Sequence, residues 1–153
     1  MGGYGGASGR IKEKCYYDTG GHKVTDKNAI EVAEYYINEG IYVAFLQEKP
    51  PKNRADLSVN GYHVEIKGLA TLNPNTVESR LKHAFEQIHG DDYRYPSETH
   101  REGKVILLSR HDSTVPEAQI LEAMRRGFLS AEHKGYVKGK LEVWIRGKIY
   151  MLN

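Results

Sequence analysis

The chain has 153 residues, 39% hydrophobic and 27% charged, which fits one soluble globular domain with a single core and excludes a disordered chain. A formal net charge of +2 permits a nucleic-acid partner only if the basic residues cluster, and the single cysteine, Cys15, excludes an intramolecular disulfide or a multi-cysteine zinc site. No apolar run reaches the length of a membrane span, and no signal-peptide stretch opens the chain.

The opening Met-Gly-Gly-Tyr-Gly-Gly-Ala-Ser-Gly reads as a flexible linker over residues 1–12, with 13–153 as the domain proper. Lys14 to Tyr17 form a short strand before a Gly20-Gly21 turn. Asp26 to Glu39 carry a helical pattern, with Ile30, Ala33 and Ile37 on one face, Asp26 as cap and Gly40 as terminator. Beside that apolar stripe run Glu31, Glu34 and Asn38. Ile41 to Leu46 is β-rich, and Pro50-Pro51-Lys52-Asn53 is a turn-rich loop.

Asn60-Gly61 then marks a two-residue hairpin turn, because both central positions of a type I′ turn need φ > 0. That turn fixes the register: Val59 faces Tyr62, Leu57 faces Val64, Asp56 faces Glu65 and Ala55 faces Ile66. One face is apolar, and the other carries Arg54, Asp56, Ser58, His63, Glu65 and Lys67. Facing like charges destabilise a sheet, so the pair Asp56 and Glu65 points to a bound divalent cation. Mg²⁺ or Mn²⁺ there takes both carboxylates, waters and the backbone carbonyl of Ile66. Such an ion polarises a phosphodiester and acidifies bound water, and Lys67 stands ready to orient the nucleophile or stabilise developing charge.

A second helix starts near Asn75, which with Glu78 resembles a capping box, and its apolar stripe is Val77, Leu81, Ala84 and Ile88. Arg80, His83 and Gln87 form the adjacent stripe. Residues 90–103 read as loop, and Val105 to Leu108 as a buried strand. Thr114, Pro116 and Glu117 open a third helix with Ile120, Ala123, Met124 and Phe128 facing inward. Leu141 to Ile145 and Lys148 to Leu152 are strands around an Arg146-Gly147 turn. The sum is an α/β fold, a central mixed β-sheet flanked by helices. Arg125, Arg126, Lys134, Lys138 and Lys140 read as a solvated face or a phosphate-contacting patch, the eleven tyrosines as core and rim residues or stacking surfaces for bases, and Cys15 as inert.

Asp56, eight residues, then Glu65-Ile66-Lys67 resembles the signature of the PD-(D/E)XK nuclease superfamily, over roughly residues 26–110. The proline that names the motif is absent; Arg54 and Ala55 precede Asp56. The resemblance implies a restriction-endonuclease-like core and a catalytic set of Asp56, Glu65 and Lys67. To these it adds a glutamate from the first helix, with Glu31 in that position and Glu34 as rival, as a ligand direct or through water. It also implies substrate contacts from Arg80, His83 or Gln87, with Arg54 on the same polar face. Within the superfamily the small size and Gly-rich start look most like C-terminal toxin domains of bacterial contact-dependent growth inhibition proteins, or related phage-encoded domains. That likeness implies cleavage of RNA, often tRNA, or of DNA, delivery from a secreted protein into the cytoplasm of a target bacterium, and a cognate immunity protein. A basic substrate channel calls for an acidic partner. A structure-specific or nonspecific DNA endonuclease and a non-catalytic nucleic-acid-binding module on the same fold are the alternatives.

Overall fold

In a computed structural model, residues 15–47, 55–94 and 103–152 are described, the side chains of 90–94 excepted. The expected linker at 1–12, Lys14, the Pro50–Asn53 turn and Arg54 lie outside them.

Apolar stripes on three helices and continuous apolar strands leave one arrangement that buries them all: a sheet covered on both faces. The elements run α1 (Lys27–Asn38), β1 (Val43–Phe45), β2 (Leu57–Val59), β3 (Tyr62–Leu69), α2 (Pro74–Arg94), β4 (Gly103–Ser109), α3 (Glu117–His133), β5 (Gly139–Ile145) and β6 (Lys148–Met151). The six strands lie in the order β1-β2-β3-β4-β5-β6. β3, β4 and β5 are parallel, and antiparallel pairs flank them on both sides, so the sheet is mixed as expected. The α2 and α3 connections supply the crossovers that parallel strands need.

α1 covers one face. Val32, Ala33 and Tyr36 pack on Leu57, Val64, Ile66, Ile106, Leu108 and Trp144. α2 and α3 cover the other, where Leu81, Phe85, Ile120 and Met124 pack on Val105, Leu107, Leu141, Val143 and Ile145. At Gly127 a Cβ would come within 2.5 Å of Val77 Cβ, so its bare backbone sets the close approach of α3 to α2. Glu78 ties the same two helices through Lys134 Nζ at 2.8 Å and the Ser130 hydroxyl.

Several sequence expectations need correction. The buried stripe of α1 is Ala29, Val32, Ala33 and Tyr36, while Ile37 is exposed. The aromatic Tyr36 reaches Trp144 and turns the helix toward the sheet by that edge. α2 begins at Pro74, a residue suited to a first helical position, and Asn73 Oδ1 accepts from Asn75 N–H at 2.9 Å in place of an Asn75–Glu78 box. The helix then runs on to Arg94, through residues whose polarity suggested a loop. Asp26 does cap α1, accepting from the N–H groups of Asn28 and Ala29, and Gly40 closes it at φ 78. Near the start of the described chain, Tyr17 bridges Lys23 across the Gly20-Gly21 turn.

Candidate active site

The β2–β3 hairpin turns at Asn60 and Gly61, with φ of 51 and 90, both in the left-handed region a type I′ turn requires. The ladder follows the expected register through Val59↔Tyr62, Ser58↔His63 and Leu57↔Val64, and ends there. Beyond it β2 bends away, because Asp56 carbonyl accepts from Leu46 N–H at 2.9 Å, a residue just past β1. In a continued ladder the Ile66 N–H would meet the Ala55 carbonyl. Here it donates instead to Asp56 Oδ2 at 2.9 Å. The expected Ala55–Ile66 pair is therefore replaced by a side chain, and Ala55 moves into the core beneath α2 and α3. The bend thus fixes the Asp56 carboxylate on the peptide group that follows Glu65.

Glu65 and Lys67, two apart on β3, share a face as expected. Glu65 is buried, and Lys67 Nζ stands 3.1 Å from its Oε2. Lys67 Nζ also donates to Gln87 Oε1 of α2 at 2.7 Å. Of the three polar α2 residues singled out, Gln87 is the one brought to this pair; Arg80 and His83 lie on the exposed side of the helix. His63 pairs with Ser58 near the turn, away from the Glu65 end of the strand.

Glu31 goes elsewhere. Its Oε1 accepts from Arg110 Nη2 at 3.1 Å, and the same guanidinium reaches Asn28 Oδ1. Its rival Glu34 accepts from the Tyr16 hydroxyl at 3.0 Å. Among the described residues no three His, Cys, Asp or Glu side chains gather closely enough to hold a metal ion. Glu31 thus does not complete a three-carboxylate site with Asp56 and Glu65. A two-carboxylate set still suits a hard cation, since Mg²⁺ keeps most of its waters and needs one or two carboxylates from the protein. Asp56, Glu65 and the Ile66 carbonyl are hard oxygen donors of that kind.

Arg110 was not singled out in the sequence. It follows the last residue of β4, at the carboxyl end of the parallel strands where α/β sheets place ligands. Its Cγ lies 3.7 Å from where a Gly68 Cβ would stand, and Asn28 Nδ2 lies 2.8 Å from that point, so Gly68 makes room for this group on the α1 side of β3, the face opposite Lys67. The five basic residues of the suggested patch are exposed; Lys134 is bound to Glu78, and Lys140 lines a cavity with Lys104.

A second polar cluster, also unforeseen, sits beneath α1. Lys104 Nζ lies 2.8 Å from Glu142 Oε2 and donates to the Tyr36 hydroxyl at 3.2 Å, while Trp144 Nε1 donates to Glu142 Oε1 at 3.1 Å. Burial pulls the Lys104 ammonium down, but the Glu142 carboxylate outweighs it and holds the ammonium above its ordinary value. Burial raises the Tyr36 phenol. Charged residues inside two apolar strand runs were the available signal.

No helix among the described residues is long and apolar enough to cross a membrane. No family model matches the chain. No curated protein matches it. Among solved structures, the chain is similar to one in the CdiA-CT/CdiI toxin and immunity complex from Burkholderia pseudomallei, at 17% identity over 80% of each chain with a TM-score of 0.46.

Proposed function

We propose that this chain is a divalent-metal-dependent nuclease that hydrolyses phosphodiester bonds, with RNA, and tRNA in particular, as substrate. One observation carries the reading: the Asp56 carboxylate is fixed by the Ile66 N–H, one peptide group from the buried Glu65 whose neighbour on the strand face is Lys67. A face of two hard carboxylates with an ammonium beside them is what phosphodiester hydrolysis needs. Mg²⁺ or Mn²⁺ would be held by Asp56, Glu65 and the Ile66 carbonyl, and when bound supplies Lewis acidity and an acidified water. Gln87 aims Lys67 by accepting one of its three N–H bonds. Lys67 in turn orients the attacking water or stabilises charge developing on the phosphate.

The test sets total tRNA beside plasmid DNA, each with Mg²⁺, with Mn²⁺ and with EDTA. Cleavage of tRNA that needs either ion and stops with EDTA is expected. Cleavage of plasmid alone would move the substrate to DNA, and cleavage of neither would overturn the nuclease reading.

The motif resemblance and the Gly-rich start support a further role as a toxin domain, delivered from a secreted protein into the cytoplasm of a target bacterium. A nuclease of that kind must be neutralised in its producer, by an acidic immunity protein covering the hairpin face. Expression of the wild-type chain alone in a bacterial cytoplasm is expected to stop growth, and co-expression of the cognate partner to restore it. Normal growth with abundant soluble protein would sink the toxin role and leave the chemistry to be judged by the cleavage assay.

A further inference from the structure

Below the exposed side of α1 lies a hollow of about 410 Å³, within the size range of small-ligand sites. Tyr35 and Trp144 supply its aromatic surface, with ring centroids 5.0 Å apart in edge-to-face contact and Tyr35 41% exposed. Glu31 and Glu34, on the same helix, line it, and Asn38 continues that wall. Tyr16 orients Glu34 through its hydroxyl. Arg110 also lines it, bonded to Glu31 at 3.1 Å and passing beside Gly68. The hollow therefore joins an aromatic platform, two glutamates and two arginines, Arg110 and Arg146, and Arg110 packs against β3 at Gly68.

We infer that this hollow is a guanine-nucleotide subsite. The proposal rests on the nuclease reading and specifies its substrate. A carboxylate accepts but cannot donate, so it favours a base edge that offers adjacent N–H donors. Guanine alone of the four bases does so, through N1–H and the N2 amino group. Adenine, cytosine and uracil each put an acceptor beside their donor, and that acceptor would face the carboxylate. The ring stacks on Tyr35, as unpaired bases do on aromatic side chains. The phosphate of the same nucleotide meets Arg110, whose planar fork suits it. Arg110 is held by Glu31 and Asn28, so a bound phosphate would take the place of the Glu31 carboxylate as its anionic partner. A phosphate so held lies at the carboxyl end of β4 on the α1 face of the sheet, while Glu65 and Lys67 project from the opposite face toward α2.

The experiment uses guanosine 5′-monophosphate, which has no phosphodiester to cleave, so binding is read apart from catalysis. Trp144 is the single tryptophan of the chain and lines the hollow, which makes its emission a built-in reporter. Titration of the wild-type protein is expected to give a saturable change in emission, with matching heat in calorimetry. The adenosine, cytidine and uridine monophosphates should bind at least about tenfold more weakly, and Glu34→Gln and Tyr35→Ala should each weaken the guanosine nucleotide about tenfold. No saturable signal in either measurement, or equal binding of all four nucleotides, overturns the subsite. If such a protein still cleaves tRNA, the nuclease reading stands without it. Selective guanosine nucleotide binding by a protein that cleaves nothing supports the subsite and overturns the nuclease reading instead.

Discussion

Glu65→Gln is expected to lower phosphodiester cleavage by about a thousandfold or more while the protein remains folded. Glutamine fills the same buried space but brings no negative charge, so the proposed hard-oxygen set would lose one of its two carboxylates. Asp56→Ala should lose activity comparably and also removes the acceptor that Ile66 N–H uses. Both positions carry structure as well as the proposed chemistry, and the two must be separated. Removing the Glu65 charge leaves Lys67 in a half-buried site with Gln87 as its remaining neutral partner, a cost of about 2 kcal/mol. Replacing both members of the pair, as Glu65→Leu with Lys67→Met, should recover that stability, because apolar isosteres of a buried ion pair are often neutral or better. It should recover no activity. Circular dichroism melts beside a tRNA cleavage assay measure the two effects independently. Full activity in a folded Glu65→Gln protein would end the metal-nuclease reading.

The hairpin that carries this site was readable because its information is local. Asn60-Gly61 needs two left-handed residues, and that requirement alone sets the pairing of Val59, Ser58 and Leu57. The bend at Asp56 was not readable, since it depends on the Leu46 N–H from a neighbouring strand. The placement of Glu31 failed for the same reason. The helix pattern offered Glu31 as a candidate ligand, but its partner Arg110 lies 79 residues on in sequence. A long-range ion pair leaves no trace in a helix pattern.

For the fold, periodicity worked wherever one face of an element decides. The stripes of Val77, Leu81, Ala84 and Ile88 and of Ile120, Ala123, Met124 and Phe128 are buried as expected. It failed for α1, where Ala29 and Tyr36 are inside and Ile37 outside; three apolar faces competed and tertiary contact with Trp144 chose among them. It also failed for the end of α2, whose last turns are polar and gave no apolar repeat to follow. Lys104 and Glu142 show a further limit. Each interrupts an apolar run, and only the parallel alignment of β4 with β5 shows that the two interruptions meet.

That meeting sets the largest expected effect on stability. Glu142→Ala should destabilise the protein by about 3 kcal/mol, a fall in Tm of about 10 °C. The loss is large because it strands the Lys104 ammonium in a mostly buried site with Tyr36 as its neighbour, and it also removes the acceptor of the Trp144 indole N–H. Glu142→Gln keeps an acceptor for Trp144 and should cost about half as much. The same cluster fixes the response to alkali. In the folded protein Lys104 titrates above its ordinary 10.5, so its contribution is fully present below that value and is lost as pH rises through the higher folded one. Tyr36 acts in the same direction: the unfolded phenol ionises near 10.0, whereas the buried one resists. Melting temperatures should therefore be insensitive to these two groups between about pH 6 and pH 9 and fall above about pH 10. In Glu142→Ala burial still pulls the Lys104 titration down and the larger of its two raising partners is gone, leaving only Tyr36, so the Lys104 component of the alkaline fall should shrink and the fall become shallower. Thermal melts of the wild type and Glu142→Ala from pH 7 to pH 11 test this. A Glu142→Ala protein that melts within about 2 °C of wild type, with the same slope above pH 10, would show that the buried pair contributes nothing to the fold.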